Sequence, residues 1–256
     1  MSYTILIPAR MHSKRLPDKP LKLLAGKPMI VRVVENVRGT SAERIVVATD
    51  HEAIFDACRQ EGIECVMTRH DHRTGTDRLS EAVTKLGLPD DAVVVNVQGD
   101  EPMIPTSVVD RVAQLLVEHP ECAIATAAHP IDDVDSFLNP NIVKVVLDGR
   151  GNALTFSRAP IPWPDGCESP KTLTALPEGC RPLHHMGLYA YRVGFLKKFP
   201  TLPRAPMEVA ESLEQLRALY NGEKIAVTVL DESLPAGVDT AEDLERLQAA
   251  YLQEHA

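Results

Sequence analysis

The chain has no Cys-x-x-Cys pair, no apolar run of membrane-spanning length and no surplus of positive charge. Each absence closes off a class of protein. The five cysteines, Cys58, Cys65, Cys122, Cys167 and Cys180, are scattered and odd in number, so neither a zinc site nor a disulfide framework is indicated. A reducing compartment suits them. A formal net charge of −9 provides no global field to attract nucleic acid or an anionic membrane. No charged leader followed by a long apolar region opens the sequence, and a cytoplasmic location is expected. There is no internal repeat and no low-complexity tail. Neither Gly-x-Gly-x-x-Gly nor Gly-x-x-x-x-Gly-Lys-Ser/Thr follows the first strand, which argues against a dinucleotide fingerprint or a Walker-type loop.

What is present is an ordinary globular composition, 44% apolar and 25% charged over 256 residues, enough for one large or two small domains. The rest is organised around residues 4–29. A short apolar run, Ile5-Leu6-Ile7, leads into a loop carrying Arg10, Lys14, Arg15 and Lys19. Arg presents a planar fork that matches phosphate oxygens and Lys a compact point charge, so the loop points to a phosphate-rich ligand. Pro8, Pro17 and Pro20 restrict its backbone. The competing reading is a solvated basic loop.

Downstream, the apolar pattern alternates between strand and helix. Strands are expected at 44–49, 63–67, 92–97 and 123–127, and helices from Met29 to about Val37 and at 51–61, 77–87 and 105–118. Thr74 or Thr76 could cap the third helix. This rhythm predicts an α/β fold, a mostly parallel central sheet with helices on both faces. Ligands bind such sheets at the carboxyl ends of the strands, and three polar stretches follow strands there: 8–19, 68–78 and 98–102. After residue 130 the rhythm changes. Residues 143–147 and 153–156 flank an Asp148-Gly149-Arg150-Gly151 turn, a hairpin signal. Residues 159–182 are rich in Pro and lack periodicity. Residues 188–191 and 225–230 read as strands. Val209, Leu213, Leu216 and Tyr220 read as one face of a single helix, and Thr240 with Asp243 as the capping box of a last one.

Asp100 is the sharpest single residue. It follows a buried strand, with Gly99 beside it to admit a ligand, and a carboxylate there suits magnesium held with substrate phosphates. Asp239, just before a helix, is a second candidate; a helix-start carboxylate is the competing reading for both. Two such aspartates with a basic loop are the inventory for metal-assisted phosphoryl or nucleotidyl transfer. His70, His72, Arg73 and Arg78 flank the second polar loop, where the histidines read as solvated. His184 and His185 precede a strand. Glu211 and Gln215 lie four apart on a helical face, where solvated side chains are the competing reading.

Together these stretches resemble the 3-deoxy-D-manno-octulosonate cytidylyltransferase (CMP-Kdo synthetase) family of Gram-negative bacteria. The matching segments are IPARMHSKRLPDKPL, GKPMI, ERIVVATDHE, TGTDRL, VVVNVQGDEPMIP, NPNIVKVVLD, FSRAPIPW, HMGLYAYR, LEQLRALYNGEKI and GVDTAEDLER. They cover nearly the whole chain in order, with residues 164–182 matching least. Asp18 stands where the family usually has glycine. The related sialic acid cytidylyltransferases share Ile7-Pro8-Ala9-Arg10 and then diverge. The resemblance implies a Rossmann-like nucleotide-diphospho-sugar transferase fold over residues 1–256, with an inserted substrate and dimerisation subregion at about 130–205 and a homodimer. It implies magnesium dependence and the reaction of CTP with Kdo to CMP-Kdo and pyrophosphate, for lipopolysaccharide biosynthesis. By that resemblance Lys19, Arg15 and Asp100 are catalytic, and Arg10, Arg15 and Lys19 hold the triphosphate. Ala9, Thr74 and Arg78 lie around the nucleotide, with Gln98 between nucleotide and sugar. Arg158, His185, Tyr189, Glu211 and Gln215 line the sugar acid site. Asp100 and Asp239 hold the metal. Another acid sugar as acceptor, or a non-catalytic nucleotide-binding homologue, are the alternatives.

Overall fold

The structure, a computed structural model, describes every residue except 1, 12–14, 73, 177, 178, 180, 234–236, 255 and 256, and only the backbone of 252–254. Lys14, Arg73 and Cys180, named above, lie outside the described residues.

Strand β1 (Thr4–Ala9) is followed by a 3-10 turn at Lys19–Leu21, then by β2 (Leu23–Leu24) and β3 (Lys27–Pro28). Next come α1 (Met29–Val37), β4 (Arg44–Thr49), α2 (Glu52–Gln60), β5 (Cys65–Met67), α3 (Gly75–Lys85), β6 (Val93–Asn96) and α4 (Thr106–Glu118). The later elements are β7 (Ile124–Pro130), α5 (Val134–Leu138), β8 (Lys144–Leu147), β9 (Ala153–Ser157), β10 (Leu183–Arg192) and α6 (Val193–Lys198). The chain closes with α7 (Pro206–Glu211), α8 (Gln215–Tyr220), β11 (Ile225–Val229) and α9 (Ala241–Glu254). No helix among the described residues is long and apolar enough to cross a membrane.

The chain folds as two compact units, residues 1–114 with 190–200 and 234–256, and residues 115–189 with 201–233. In the first, β6, β1, β4 and β5 lie side by side, all parallel. Every residue of β6 is buried, as are the last four of β4, so both faces of these strands are covered. That is why they read as continuous apolar runs rather than alternating ones. The connecting helices present apolar faces inward: Met29, Ile30, Val33, Val34 and Val37 of α1 are all buried. In the second unit β11 pairs parallel with β7, while β8 pairs antiparallel with both β9 and β10. The hairpin expected at residues 148–151 joins β8 to β9, with Gly151 at φ 82°.

Two expectations are corrected. The single helix through Val209 and Tyr220 is broken into α7 and α8 by Ser212, which adopts φ 54°, ψ 46°. Buried Glu208 drives the break: its carboxylate takes the Ala205 amide and the Arg217 guanidinium, which ties the start of α7 to α8. Leu213 and Leu216 stay buried, whereas Val209 and Tyr220 are exposed. The short strand expected at 188–191 extends back to Leu183, so His184 and His185 lie within it rather than before it.

Ser212 pays the left-handed penalty of a Cβ at a helix C-terminus where glycine is preferred. Ser212→Gly is therefore expected to raise unfolding stability by about 0.5–1 kcal/mol, read as a higher urea midpoint at unchanged m-value.

Candidate active site

Several of the candidate residues lie at the carboxyl ends of the parallel strands in the first unit. Ala9 ends β1 opposite Thr49, the last residue of β4. The Thr49 carbonyl accepts both the Thr68 amide (2.7 Å) and the Thr68 hydroxyl (3.0 Å). Thr74 caps α3, its hydroxyl accepting the Asp77 amide at 3.1 Å, which decides between the two capping candidates. From the first turn of that helix Arg78 reaches back, donating to Thr68 Oγ1 at 2.5 Å and to Asp50 Oδ2 at 2.6 Å. Arg78 and Asp50 are both largely buried, so this ion pair is a structural joint beneath the polar rim. His72, read as solvated, is tied to Glu81, while His70 is exposed.

The turn after β6 bears Gln98, Gly99, Asp100 and Glu101. Gly99 has a reason for its smallness that the sequence did not suggest: a Cβ on it would stand 3.1 Å from the Pro8 carbonyl oxygen, so glycine lets two backbone segments meet. Gly237 is equally constrained, since a Cβ there would lie 3.2 Å from the Asp100 carbonyl oxygen. That same carbonyl accepts the Val238 amide at 2.9 Å. Two segments 137 positions apart are thereby fixed edge to edge, and their aspartates converge.

The convergence is on Lys19. Its ammonium donates to Asp100 Oδ2 at 2.5 Å, to the Val238 carbonyl at 2.8 Å and to Asp239 Oδ1 at 3.4 Å. Arg15 reaches the same Asp239 oxygen at 2.9 Å while staying two-thirds exposed. The platform beneath is apolar: Leu16, Leu24, Met29 and Val238 pack with Leu247 and Tyr251 of α9. The expected capping box holds α9 in place, Thr240 Oγ1 accepting the Asp243 amide and Asp243 Oδ2 accepting that of Thr240. Arg15, Lys19, Asp100 and Asp239 are thus one cluster. Ala9 is buried, and Arg10 is exposed one residue beyond it. The Gln98 carbonyl accepts the Glu101 amide at 3.2 Å.

Glu101 escaped the sequence reading. Burial, with the Asp100 charge second, pushes its carboxyl up to about 7, and Oε2 has no hydrogen-bond partner among the described residues. A glutamate between an aspartate and a proline gives no sign of this in the sequence.

The second unit gathers the residues expected at a sugar acid. Glu211 ends α7 and Arg158 follows β9. Glu211 Oε2 accepts the Arg158 amide at 2.5 Å, and both carboxylate oxygens take the Ser157 hydroxyl at 3.0 Å. Arg158 Nε donates to the Glu211 carbonyl at 2.6 Å and Nη1 to the Pro140 carbonyl at 3.0 Å. Gln215 opens α8, buried, on a helix packed against β9. His185 is buried between the rings of Phe156 (4.8 Å) and Tyr189 (5.2 Å). Thr126 Oγ1 lies 2.7 Å from the Leu188 carbonyl and 3.1 Å from His185 Nε2. A hydroxyl that donates to that carbonyl must accept from Nε2–H, which leaves the lone pair on Nδ1. Burial, with His184 second, drives His185 down to about 3, so the ring is neutral at physiological pH and offers a hydrogen bond, not a charge.

Comparison with known proteins identifies the family. The family model for cytidylyltransferases matches residues 4–225. A solved structure of CMP:2-keto-3-deoxy-manno-octonic acid synthetase complexed with CTP is 39% identical, covers 99% of each chain and superposes with a TM-score of 0.88. A cytidylyltransferase from Leptospira borgpetersenii serovar Hardjo-bovis (strain JB197) shares 16% identity over 98% of this chain and 87% of its own, with a TM-score of 0.61, a likeness of fold. The α/β nucleotidyltransferase fold expected from the sequence is the one observed.

Removing Asp50 would leave the Arg78 guanidinium buried without its counter-charge. Asp50→Ala is expected to cost about 3–5 kcal/mol, measured by urea unfolding; a loss under 1 kcal/mol would show that the pair is not the joint described.

Proposed function

The chain belongs to the cytidylyltransferase family, and on that premise we propose that it transfers the cytidylyl group of CTP to 3-deoxy-D-manno-octulosonate, giving CMP-Kdo and pyrophosphate. The observation that carries the reading is the junction at Lys19, where one ammonium lies within reach of two carboxylates beside an exposed Arg15. The relative of known structure that shares 39% identity is a CMP:2-keto-3-deoxy-manno-octonic acid synthetase with CTP bound.

The reaction asks for little covalent work from the protein. The anomeric hydroxyl of the sugar attacks the α-phosphorus in line, a P–O bond forms, and the bond to pyrophosphate breaks. Positioning and charge neutralisation dominate. Arg15, two-thirds exposed beside Asp239, supplies a fork for triphosphate oxygens. Lys19 supplies a point charge fixed by the Val238 carbonyl, so it is oriented before any ligand arrives. Arg10, Ala9, Thr74, Arg78 and Gln98 complete the nucleotide site in this reading. Arg158 offers a cation to the sugar carboxylate, its orientation set by Glu211 and Pro140. Tyr189, neutral His185, Gln215 and Glu211 offer hydrogen bonds to hydroxyls.

Asp100 and Asp239 fit magnesium. They are hard oxygen donors, partly exposed, and both reach a single ammonium at 2.5 and 3.4 Å, so one small cation can be shared between them. When bound, the ion would offset triphosphate charge and acidify the attacking hydroxyl. We further propose a cytoplasmic homodimer that supplies lipopolysaccharide assembly. Exposed apolar side chains of the second unit, Leu154, Met207, Val209 and Tyr220, support a second copy as the partner.

Pyrophosphate release from CTP, magnesium and a panel of acid sugars tests the assignment: turnover with Kdo above sialic acid and amino-substituted Kdo is expected, and no release with any of them would overturn it. Lys19→Ala is expected to stay folded by circular dichroism while turnover falls by about two orders of magnitude or more. A near-normal rate would remove Lys19 from the mechanism.

A further inference from the structure

Lys144 is 0% exposed, and the mechanism above makes no use of it. Its ammonium donates to three backbone carbonyls, Asn139 at 2.9 Å, Ile142 at 2.6 Å and Arg158 at 2.7 Å. An ammonium has three protons and no acceptor capacity, so the match is complete. Burying such a charge is costly and is tolerated where every proton is placed. A lysine that served only to fill the core would be better replaced by Met or Leu.

The three carbonyls are not arbitrary. The Arg158 carbonyl anchors the backbone of that residue. Asn139 and Ile142 bracket Pro140, and the Pro140 carbonyl accepts Arg158 Nη1 at 3.0 Å. Lys144 therefore fixes both the root of Arg158 and the acceptor that aims its guanidinium. Glu211 holds the remaining handles, the Arg158 amide and Nε. Burial pushes the Lys144 pKa down, and the Glu211 carboxylate opposes that shift.

We propose that Lys144 is a positioning residue for the acid-sugar site: it locks the 139–142 turn to the end of β9 so that Arg158 points its fork at the sugar carboxylate. This rests on the reading of Arg158 as the carboxylate-binding residue. Arg158 would touch the sugar; Lys144 acts only through it.

Three variants test it, with steady-state constants measured separately for CTP and Kdo. Lys144→Met is expected to raise KM for Kdo at least tenfold, leave KM for CTP within twofold, and retain most of kcat at saturating Kdo. Arg158→Ala should raise KM for Kdo by at least as much. If Arg158→Ala leaves that constant unchanged, the reading of the sugar site fails. If Arg158→Ala raises it and Lys144→Met does not, the sugar site stands and the positioning role of Lys144 falls. Lys144→Gln, a shorter neutral donor, covers the case in which Lys144→Met does not fold, and should shift KM for Kdo in the same direction by less. Equal loss of CTP and Kdo affinity, or failure of both variants to fold, would mark Lys144 as a purely structural residue and overturn the proposal.

Discussion

One ammonium in the first unit is the meeting point of three segments far apart in the chain. Lys19 comes from a loop after the first strand, Asp100 from the turn after the fourth parallel strand in chain order, and Val238 and Asp239 from the approach to the last helix. All meet within 3.4 Å of a single nitrogen. The close backbone approaches at Gly99 and Gly237, where a Cβ would stand 3.1 and 3.2 Å from a carbonyl oxygen, exist to bring them there. The apolar platform of Leu16, Val238, Leu247 and Tyr251 supplies the hydrophobic driving force, because opposite charges at a half-exposed surface contribute little by themselves. Packing sets the geometry, and the charges use it.

This arrangement holds cations and carboxylates against one another. Arg15 and Lys19 neutralise Asp100 and Asp239, so neither set of like charges repels itself apart. In the proposed reaction a triphosphate would bring negative charge for the cations, and a divalent ion positive charge for the carboxylates. Each would then replace a partner the protein already provides, and a cluster already held by packing would lower the ordering cost of binding. The second unit uses the same device more deeply buried. There Lys144 is fully enclosed, and its three acceptors are neutral carbonyls rather than carboxylates, so it has nothing to exchange and serves as a rivet.

Much of this was legible in the sequence because it depends on local pattern. Apolar runs ending in polar residues marked β1, β4 and β6, and the strand–helix rhythm implied a parallel sheet with its chemistry at one rim. Arg15, Lys19, Asp100 and Asp239 could be picked as candidates from residue type and place. What could not be read is whatever depends on a partner far along the chain. The break at Ser212 follows from Glu208 and Arg217 pairing across it, and helical periodicity alone favours one continuous helix. Arg78 reads as a free cation near a polar loop, yet it is committed to Asp50, 28 positions away. The close approach of Gly99 to the backbone of Pro8 likewise has no local sign.

The two histidines of β10 show the same limit in protonation. Side by side in sequence, His184 and His185 carry no sign of their protonation. Alternation along a strand sends them to opposite faces. His184 pairs with His129, Nδ1 to Nε2 at 2.9 Å, and burial, then His129, then Lys144, take it down to about 4. His185 is driven lower, to about 3, beneath Phe156 and Tyr189. Both rings are uncharged near neutral pH, which leaves Arg158 as the cation that the proposed function assigns to a sugar carboxylate. Contacts from Glu211, Pro140 and Lys144 converge on the backbone and side chain of Arg158, and Glu211 also takes the Ser157 hydroxyl beside it, so the aim of that guanidinium is set by its neighbours rather than by its own length.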